Sequence, residues 1–308
     1  MKIRIGTRGS KLALWQAYYV RDLLEAEGIE TEVIPIETKG DKILDVSISK
    51  IGSKGVFTEE IEEQLALGGI DIAVHSAKDM PSDLPKGFEL IAFGEREDVN
   101  DVIVSNNNVD LTKNNLVVGT SSTRRIAFLK KYYPHIKTVP VRGNLQTRLK
   151  KMEEGLCDAL LLAYAGIHRM GYGDQVKVKM PYQQFTPAVG QGSITIEASD
   201  KLDEPKREAI RKCINDESAE IAIRTERSFL KKMQGGCSVP IFGYAEISND
   251  RVKIQGGIIS LDGSKFISTS MEGNVNEYEQ IGDRLGDYIL ENGGSEILKE
   301  IKKEQSID

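Results

Sequence analysis

The sequence predicts a three-domain chain: two α/β domains followed by a smaller α+β domain. Three observations carry this. The 308 residues exceed what one hydrophobic core ordinarily organises. Strand-like and helix-like segments alternate in two runs, separated by a polar break from Ser105 to Asn108. From about Glu217 that alternation gives way to strands grouped between helices.

The first run opens on an alternating strand, after which Ser10 is a good N-cap. Leu12, Trp15, Tyr19 and Leu23 then recur at helical spacing, and Gly28 stops the helix. TEVIPIET reads as a second strand and EEIEEQLALGG as a helix ending in glycines. DIAVHS is an apolar strand whose following turn holds Lys78 and Asp79. This order implies a mostly parallel sheet with crossover helices.

The second run begins near EREDVNDVIVSNNN. LVVGTSSTRRIAFLKKYYP is strand, capped turn and helix; TVPVRGNLQTRLKKMEEG repeats the pattern, and DALLLAYAGIHRMG repeats it again. PAVGQGSITIEAS and a helix from about Pro205 have the composition to rejoin the first domain. The expected boundaries are 1–95 with 191–213 for domain 1, 96–190 for domain 2 and 214–308 for domain 3. Two crossings between domains would form a hinge.

The third domain opens on a long amphipathic helix containing Ile221, Ile223, Phe229 and Leu230. The segment GGCSVP, the strands YAEIS, RVKIQGGIIS and SKFISTSMEG, and one terminal amphipathic helix follow.

Hydrophobic residues at 40% and charged residues at 29% are the balance of a soluble globular chain, and no apolar run reaches the length of a membrane span. The N-terminus enters a strand with no signal-peptide pattern. Three widely spaced cysteines, Cys157, Cys213 and Cys237, fit free thiols in a reducing compartment, so a cytoplasmic protein is expected. None of the three histidines has metal-ligand spacing, and no bound metal is expected. The net charge of −6, without a polybasic run, gives no footprint for nucleic acid or membrane.

Against that acidic average, Arg124, Arg125, Arg142, Arg148 and Arg169 cluster near strand-to-helix junctions, which points to an anionic small molecule. Ligands of open α/β sheets bind beyond the carboxyl ends of the strands. Those turns hold Thr7, Arg8 and Ser10; Ser76, Lys78 and Asp79; Thr120, Ser121, Ser122, Arg124 and Arg125; and Arg142, Gly143 and Asn144. In GTSSTRR the hydroxyl residues stand at a helix start, where unpaired N–H groups favour an anion; simple capping by Ser121 or Ser122 is the alternative. Arginine suits carboxylates because its planar fork donates two parallel hydrogen bonds. Asp79 reads either as an N-cap or ion-pair partner of Lys78, or as a fixed negative charge beside a reaction that generates a cation. Cys237 sits on a glycine loop, whereas Cys157 and Cys213 lie in helix-like sequence as packing residues.

Together GTRGSKLALWQA, KGVFTEEIE, DIAVHSAKDMP, VGTSSTRR, VRGNLQTRL, DALLLAYAGIHRMG, PAVGQG and GGCSVP resemble the porphobilinogen deaminase (hydroxymethylbilane synthase) family in order and spacing. The likeness runs from Ile5 to the C-terminal helix and weakens after about residue 250. It implies two domains like the lobes of type 2 periplasmic binding proteins and a third domain carrying the cofactor. It further implies a transferase that condenses four porphobilinogen molecules onto a dipyrromethane joined to Cys237 through a thioether. Ammonia is lost at each step, and hydrolysis finally releases hydroxymethylbilane.

By the same resemblance Asp79 is the catalytic carboxylate. Arg8, Lys78, Arg124, Arg125, Arg142, Arg148 and Arg169 bind the acetate and propionate groups of cofactor, growing chain and substrate. Ser76, Thr120, Ser121, Ser122, Gly143 and Asn144 assist, and Lys54 in KIGSKG belongs to a lid loop. The expected partners are porphobilinogen and the growing linear polypyrrole, with no nucleic acid and no membrane, and the expected state is a monomer. Thr123 stands where the family usually has Leu, Gly9 where Gln is frequent, and His168 where Lys is more usual. The first two alter packing, and the third leaves open which charge helps Arg169.

Two other readings compete. One is a non-catalytic type 2 binding protein for a small dicarboxylate, which Cys237 and the third domain count against. The other is a phosphate enzyme using GTSSTRR, for which the chain has no GxxxxGK[ST] loop.

Overall fold

A computed structural model describes residues 1–42, 58–234 and 239–307. Lys54 and Cys237 lie outside the described residues.

Strands β1 (Lys2–Arg8), β2 (Glu30–Ile36), β3 (Ile72–Ser76), β4 (Phe88–Phe93) and β10 (Ile194–Ser199) form one sheet in the order β2-β1-β3-β10-β4. A second sheet has the order β7-β6-β8-β5-β9, from β5 (Asp101–Val104), β6 (Val117–Gly119), β7 (Lys137–Val139), β8 (Ala159–Ala163) and β9 (Val176–Lys179). Each sheet is parallel apart from one strand: β10 runs antiparallel to β3 and β4, and β5 antiparallel to β8 and β9. Both exceptions directly follow a crossing between the lobes. A chain arriving from the opposite lobe enters at the cleft and must run away from it, against the crossover-connected strands.

In the first lobe α1 (Lys11–Ala26) starts at Ser10, whose hydroxyl accepts from Ala13 N at 3.3 Å. Its buried stripe is Gln16, Ala17, Val20 and Leu24, one position round from the stripe that the aromatic spacing suggests. Trp15 and Tyr19 instead stack at 5.7 Å on the flank of the helix, where the Arg169 guanidinium of the other lobe lies 5.7 Å from the Trp15 ring. Helix α1 and α6 (Glu204–Ile214) cover one sheet face with Ile3, Ile5, Ile72 and Ile196 beneath them. Helix α2 (Glu59–Ala66) covers the other with Ile61 and Leu65. Each such fully buried side chain contributes about 1.5–3 kcal/mol.

In the second lobe α3 (Thr123–Tyr132) buries Ala127, Phe128 and Leu129, and α4 (Leu145–Glu153) buries Leu149 and Met152 against the opposite face. A short α5 (Tyr164–Arg169) follows β8. Strands β4 and β9, which the sequence pattern left unmarked, complete the two sheets at their edges.

The third domain packs α7 (Glu217–Lys232) and α8 (Tyr278–Ile289) on an antiparallel sheet of β11 (Ile241–Ser248), β12 (Arg251–Ile259) and β13 (Phe266–Asn274). The single terminal helix expected from sequence is two. It breaks at Leu290–Gly294, where Gly293 has φ 106°, before α9 (Ser295–Ile307) resumes. Only glycine adopts that backbone readily, so the amphipathic pattern runs through a turn.

This domain is seated on both lobes. Phe242 and Ile259 complete the core beside Phe128 and Phe185, while Ala219 and Ile223 pack on Ala77, Met80 and Phe93. The fully buried Glu226 accepts from Arg96 Nη1 at 2.6 Å, Gly190 N at 2.8 Å and Ala245 N at 2.7 Å, tying both crossings to the third domain through one carboxylate. Among the described residues no helix is long and apolar enough to cross a membrane.

Candidate active site

The turns after β1 and β3 give the first lobe its share of the cleft. Arg8, Ser10, Gln16, His75, Ser76 and Asp79 line one recess there. Gln16 Nε2 donates to Ser76 Oγ at 2.9 Å, fixing the hydroxyl while leaving its own proton available. Residues Ala77–Asp79 form a single 3₁₀ turn, and Met80 is in extended backbone before Pro81. Asp79 is exposed and, among the described residues, no side chain pairs with its carboxylate. The turn is braced from behind: a Cβ on Gly190 (φ 77°) would stand 2.8 Å from Ala77 C and Lys78 N, so the second crossing presses directly on it.

Lys78 points towards the second lobe, its Nζ 3.5 Å from Gln191 Oε1. Burial pushes its ammonium down to about 8, and the charges of Arg125 and Arg124 push the same way against Asp79 and Asp101.

In the second lobe the β6 turn holds Thr120, Ser121 and Ser122. Ser121 Oγ donates to Val141 O at 3.1 Å, and Ser122 occupies the N-cap of α3 without making the capping bond. Simple capping therefore does not account for Ser122. Arg124 and Arg125 do not stand at the cradle's edge; both turn inward and are buried. Arg125 donates to Asp101 Oδ1 from Nε at 3.0 Å and from Nη2 at 2.7 Å, and to Leu161 O at 3.2 Å. Arg124 Nη1 is 2.8 Å from Asp101 Oδ2 and donates to Thr186 O. Burial pushes the Asp101 carboxyl up, yet the two guanidiniums outweigh it and hold the group well below the usual carboxylate range. Two cations on one anion leave a positive charge behind the cradle.

The β7 turn brings Arg142, Gly143 and Asn144, with Arg148 one helical turn on. Asn144 caps α4 by accepting from Thr147 N at 2.9 Å. Gly143 is required there, because φ is 111° and a Cβ would meet Thr147 at 2.7 Å. Arg148 Nε donates to Gly143 O at 2.8 Å, and its guanidinium is near enough to feel the charge of Asp79 across the cleft. Arg142 is half-buried and, among the described residues, its guanidinium has no hydrogen-bond or ion-pair partner. Arg169 ends α5 at the hinge, with Nη2 donating to Gly192 O at 2.7 Å. Beside it His168 Nδ1 is 2.7 Å from Glu97 Oε2, so the residue that replaces the usual lysine braces a crossing segment. Burial pushes the Cys157 and Cys213 thiols up, as fits packing residues.

Asp101, Gln16 and Gln191 belong to this site although the motifs did not single them out. Two of them had a signal: Asp101 heads an apolar strand and must be paired when buried, and Gln16 interrupts the buried face of α1. Gln191 Nε2 donates to Val99 O at 2.7 Å and Asp101 Oδ1 at 3.0 Å.

Two lobes, each a five-stranded sheet with one antiparallel strand, present Arg8, Lys78, Arg142 and Arg148 together with the exposed Asp79 carboxylate, a set of groups suited to an organic polyanion. The dipyrromethane implied by the resemblance fits this donor set, with Arg8, Lys78, Arg142 and Arg148 for its carboxylates and Asp79 for its pyrrole nitrogens.

Residues 3–207 match the model of the porphobilinogen deaminase, dipyromethane cofactor binding domain, and residues 220–291 that of the porphobilinogen deaminase C-terminal domain. The chain belongs to the porphobilinogen deaminase family. A porphobilinogen deaminase from Desulfosudis oleivorans is 54% identical, covering 99% of this chain and 100% of its own length. One from Cytophaga hutchinsonii is 54% identical over 98% of this chain and 97% of its own. Among solved structures, the second substrate binding domain of a putative amino acid ABC transporter from Streptococcus pneumoniae aligns with 75% of this chain and 94% of its own at 11% identity and TM-score 0.43. The Bordetella pertussis BvgS VFT2 domain covers 74% and 91% at 15% identity and TM-score 0.42.

Proposed function

We propose that this chain condenses four porphobilinogen molecules head to tail on a dipyrromethane held by a thioether at Cys237, then releases hydroxymethylbilane by hydrolysis. It does so as a cytoplasmic monomer. The observation that carries the reading is the placing of Asp79, an exposed carboxylate without a partner among the described residues, opposite the arginines of the second lobe.

The bound dipyrromethane supplies the pyrrole carbon on which the chain grows. Arg142 and Arg148 hold acetate and propionate groups from the second lobe, and Arg8 and Lys78 from the first. Arg124 and Arg125 add positive charge from behind, and Arg169 supports the hinge side of the same surface. Ser76, Thr120, Ser121, Ser122, Gly143 and Asn144 orient the acids through hydroxyl, amide and backbone groups.

Asp79 faces the positive charge that develops as ammonia leaves the substrate. At about 4 Å such a pair is worth about 4 kcal/mol at an effective dielectric near 20. When the new carbon–carbon bond forms, Asp79 Oδ can take the proton shed by the ring carbon. Summed over a round, the ammonia lost first and the proton shed afterwards amount to one ammonium ion, so each round is balanced. Lys54 of KIGSKG would cover the cleft from the first lobe.

Purified protein incubated with porphobilinogen should release ammonia, react with Ehrlich's reagent and, once denatured, weigh two pyrrole units more than its polypeptide. Denatured protein that weighs no more than the polypeptide would falsify the covalent reading, and Cys237→Ala locates the attachment. The competing dicarboxylate binder would show neither mass gain nor ammonia.

A further inference from the structure

Behind the Asp79 side of the cleft lies a buried group of titratable side chains that the chemistry above does not use. His75 stands on β3 one residue before Ser76, and it lines the same recess as Asp79. On β10 Thr195 is opposite His75, which places Glu197, two residues on, diagonally beside it on the same face. Glu197 Oε2 is 3.0 Å from His75 Nε2. From the covering helix α2, Glu62 is close enough for the charges of Glu197 and His75 to be felt at its carboxyl.

All three side chains are more than nine-tenths buried. Among the described residues Glu197 Oε1 and Glu62 Oε1 have no hydrogen-bond partner. Native cores keep few such orphaned oxygens, and those they keep call for a use. Other charges facing the group are Glu59 on α2, Arg227 on α7, whose guanidinium feels the charge of Glu197, and Arg8 and Asp79 across the recess. Burial raises the Glu62 carboxyl, and the Glu197 charge adds to it.

Two carboxylates around one imidazole make a site where a proton is readily held. The condensation needs such a site, since the proton shed by the ring carbon and the departing ammonia arise at different moments. We infer that His75, Glu197 and Glu62 form a proton-holding unit behind the cleft, and that His75 is a positioning residue setting the charge against which Asp79 works. This rests on the function proposed above.

The test uses the full chain loaded with its cofactor. With three histidines in the chain, imidazole nitrogen spectra are simple, and His75→Gln identifies the signals of His75. We expect Glu197→Gln to displace the His75 ring-nitrogen signals at constant pH, because it changes the group 3.0 Å from Nε2. The acidic limb of the kcat–pH profile should move to lower pH while KM stays within about twofold. His75→Gln should lower kcat about tenfold and abolish that limb of the profile.

Imidazole signals indifferent to Glu197→Gln, or variant kcat–pH profiles superimposable on the parent, overturn the inference. If His75→Gln does not fold, Glu62→Gln decides alone, and an unmoved kcat–pH profile rejects the unit. The spectra need no substrate. Failure of the parent protein to release ammonia would therefore sink the proposed function while leaving the coupling of the three groups to be judged on its own.

Discussion

The two lobes share one strand order, each with a single antiparallel strand after a crossing, yet they bring opposite chemistry to the cleft. The first lobe offers an exposed carboxylate at Asp79, without a partner among the described residues, and a lysine depressed by burial. The second offers arginines in two layers: Arg142 and Arg148, half-buried, form the surface layer, and Arg124 and Arg125 are locked on Asp101 beneath. The difference teaches that the topology only delivers turns to a common place. The side chains on those turns differ, an exposed carboxylate beside a lysine on one wall and a set of arginines on the other, and the proposed function rests on that division.

That division can be broken most sharply at Asp79. Asp79→Ala should fold and keep its bound pyrroles while ammonia release falls about a thousandfold, a loss within the range of a removed acid–base or electrostatic group. Near-normal ammonia release would move the reaction off the first lobe.

On the second wall the deep layer should matter for stability before it matters for binding. Asp101→Asn leaves Arg124 and Arg125 buried without their counter-ion, and about 3–5 kcal/mol of stability should be lost, read as a lower unfolding temperature. An unchanged unfolding temperature would show that the pair of arginines finds other partners.

The surface layer should show the converse. Arg148→Leu should raise KM for porphobilinogen about tenfold to a hundredfold, the worth of a charge-assisted hydrogen bond, with a smaller effect on kcat. A fall in kcat at constant KM would place Arg148 with the reacting groups instead.

The smallest effect is at the seam between the walls. Lys78 loses its charge near pH 8 in the folded protein and near 10.5 when unfolded. The unfolded chain therefore binds more protons between those values, and stability rises with pH across that window. Binding moves the other way: KM should climb severalfold from pH 7 to 9, and Lys78→Arg should flatten the climb.

Much of this was legible in the chain. The alternation of strands and helices, the change of pattern near Glu217 and the polar residues after each strand are local properties, set by periodicity and turn chemistry, and they marked the turns that follow β1, β3, β6 and β7, of which the first two bring Arg8, Ser76 and Asp79 to one recess. What local pattern could not supply was the direction of a strand that arrives from elsewhere, as at β5 and β10, or the break at Gly293 inside a continuous amphipathic run.

The partners of buried charge were equally beyond reach. Arg124 and Arg125 read as cradle-edge residues because sequence shows a charge without its counter-charge; Asp101 lies on a strand from another part of the chain. Glu226 bonding both crossings, and His75 meeting Glu197 across 122 residues, have the same character. Periodicity decides that an element has an inward side, and the sequence alone determined that much, though in α1 the buried stripe lies one position round from the aromatic one. Which groups then share a buried hydrogen bond depends on chain segments brought together only by the completed fold, since a charge leaves water only where its partner is already in place.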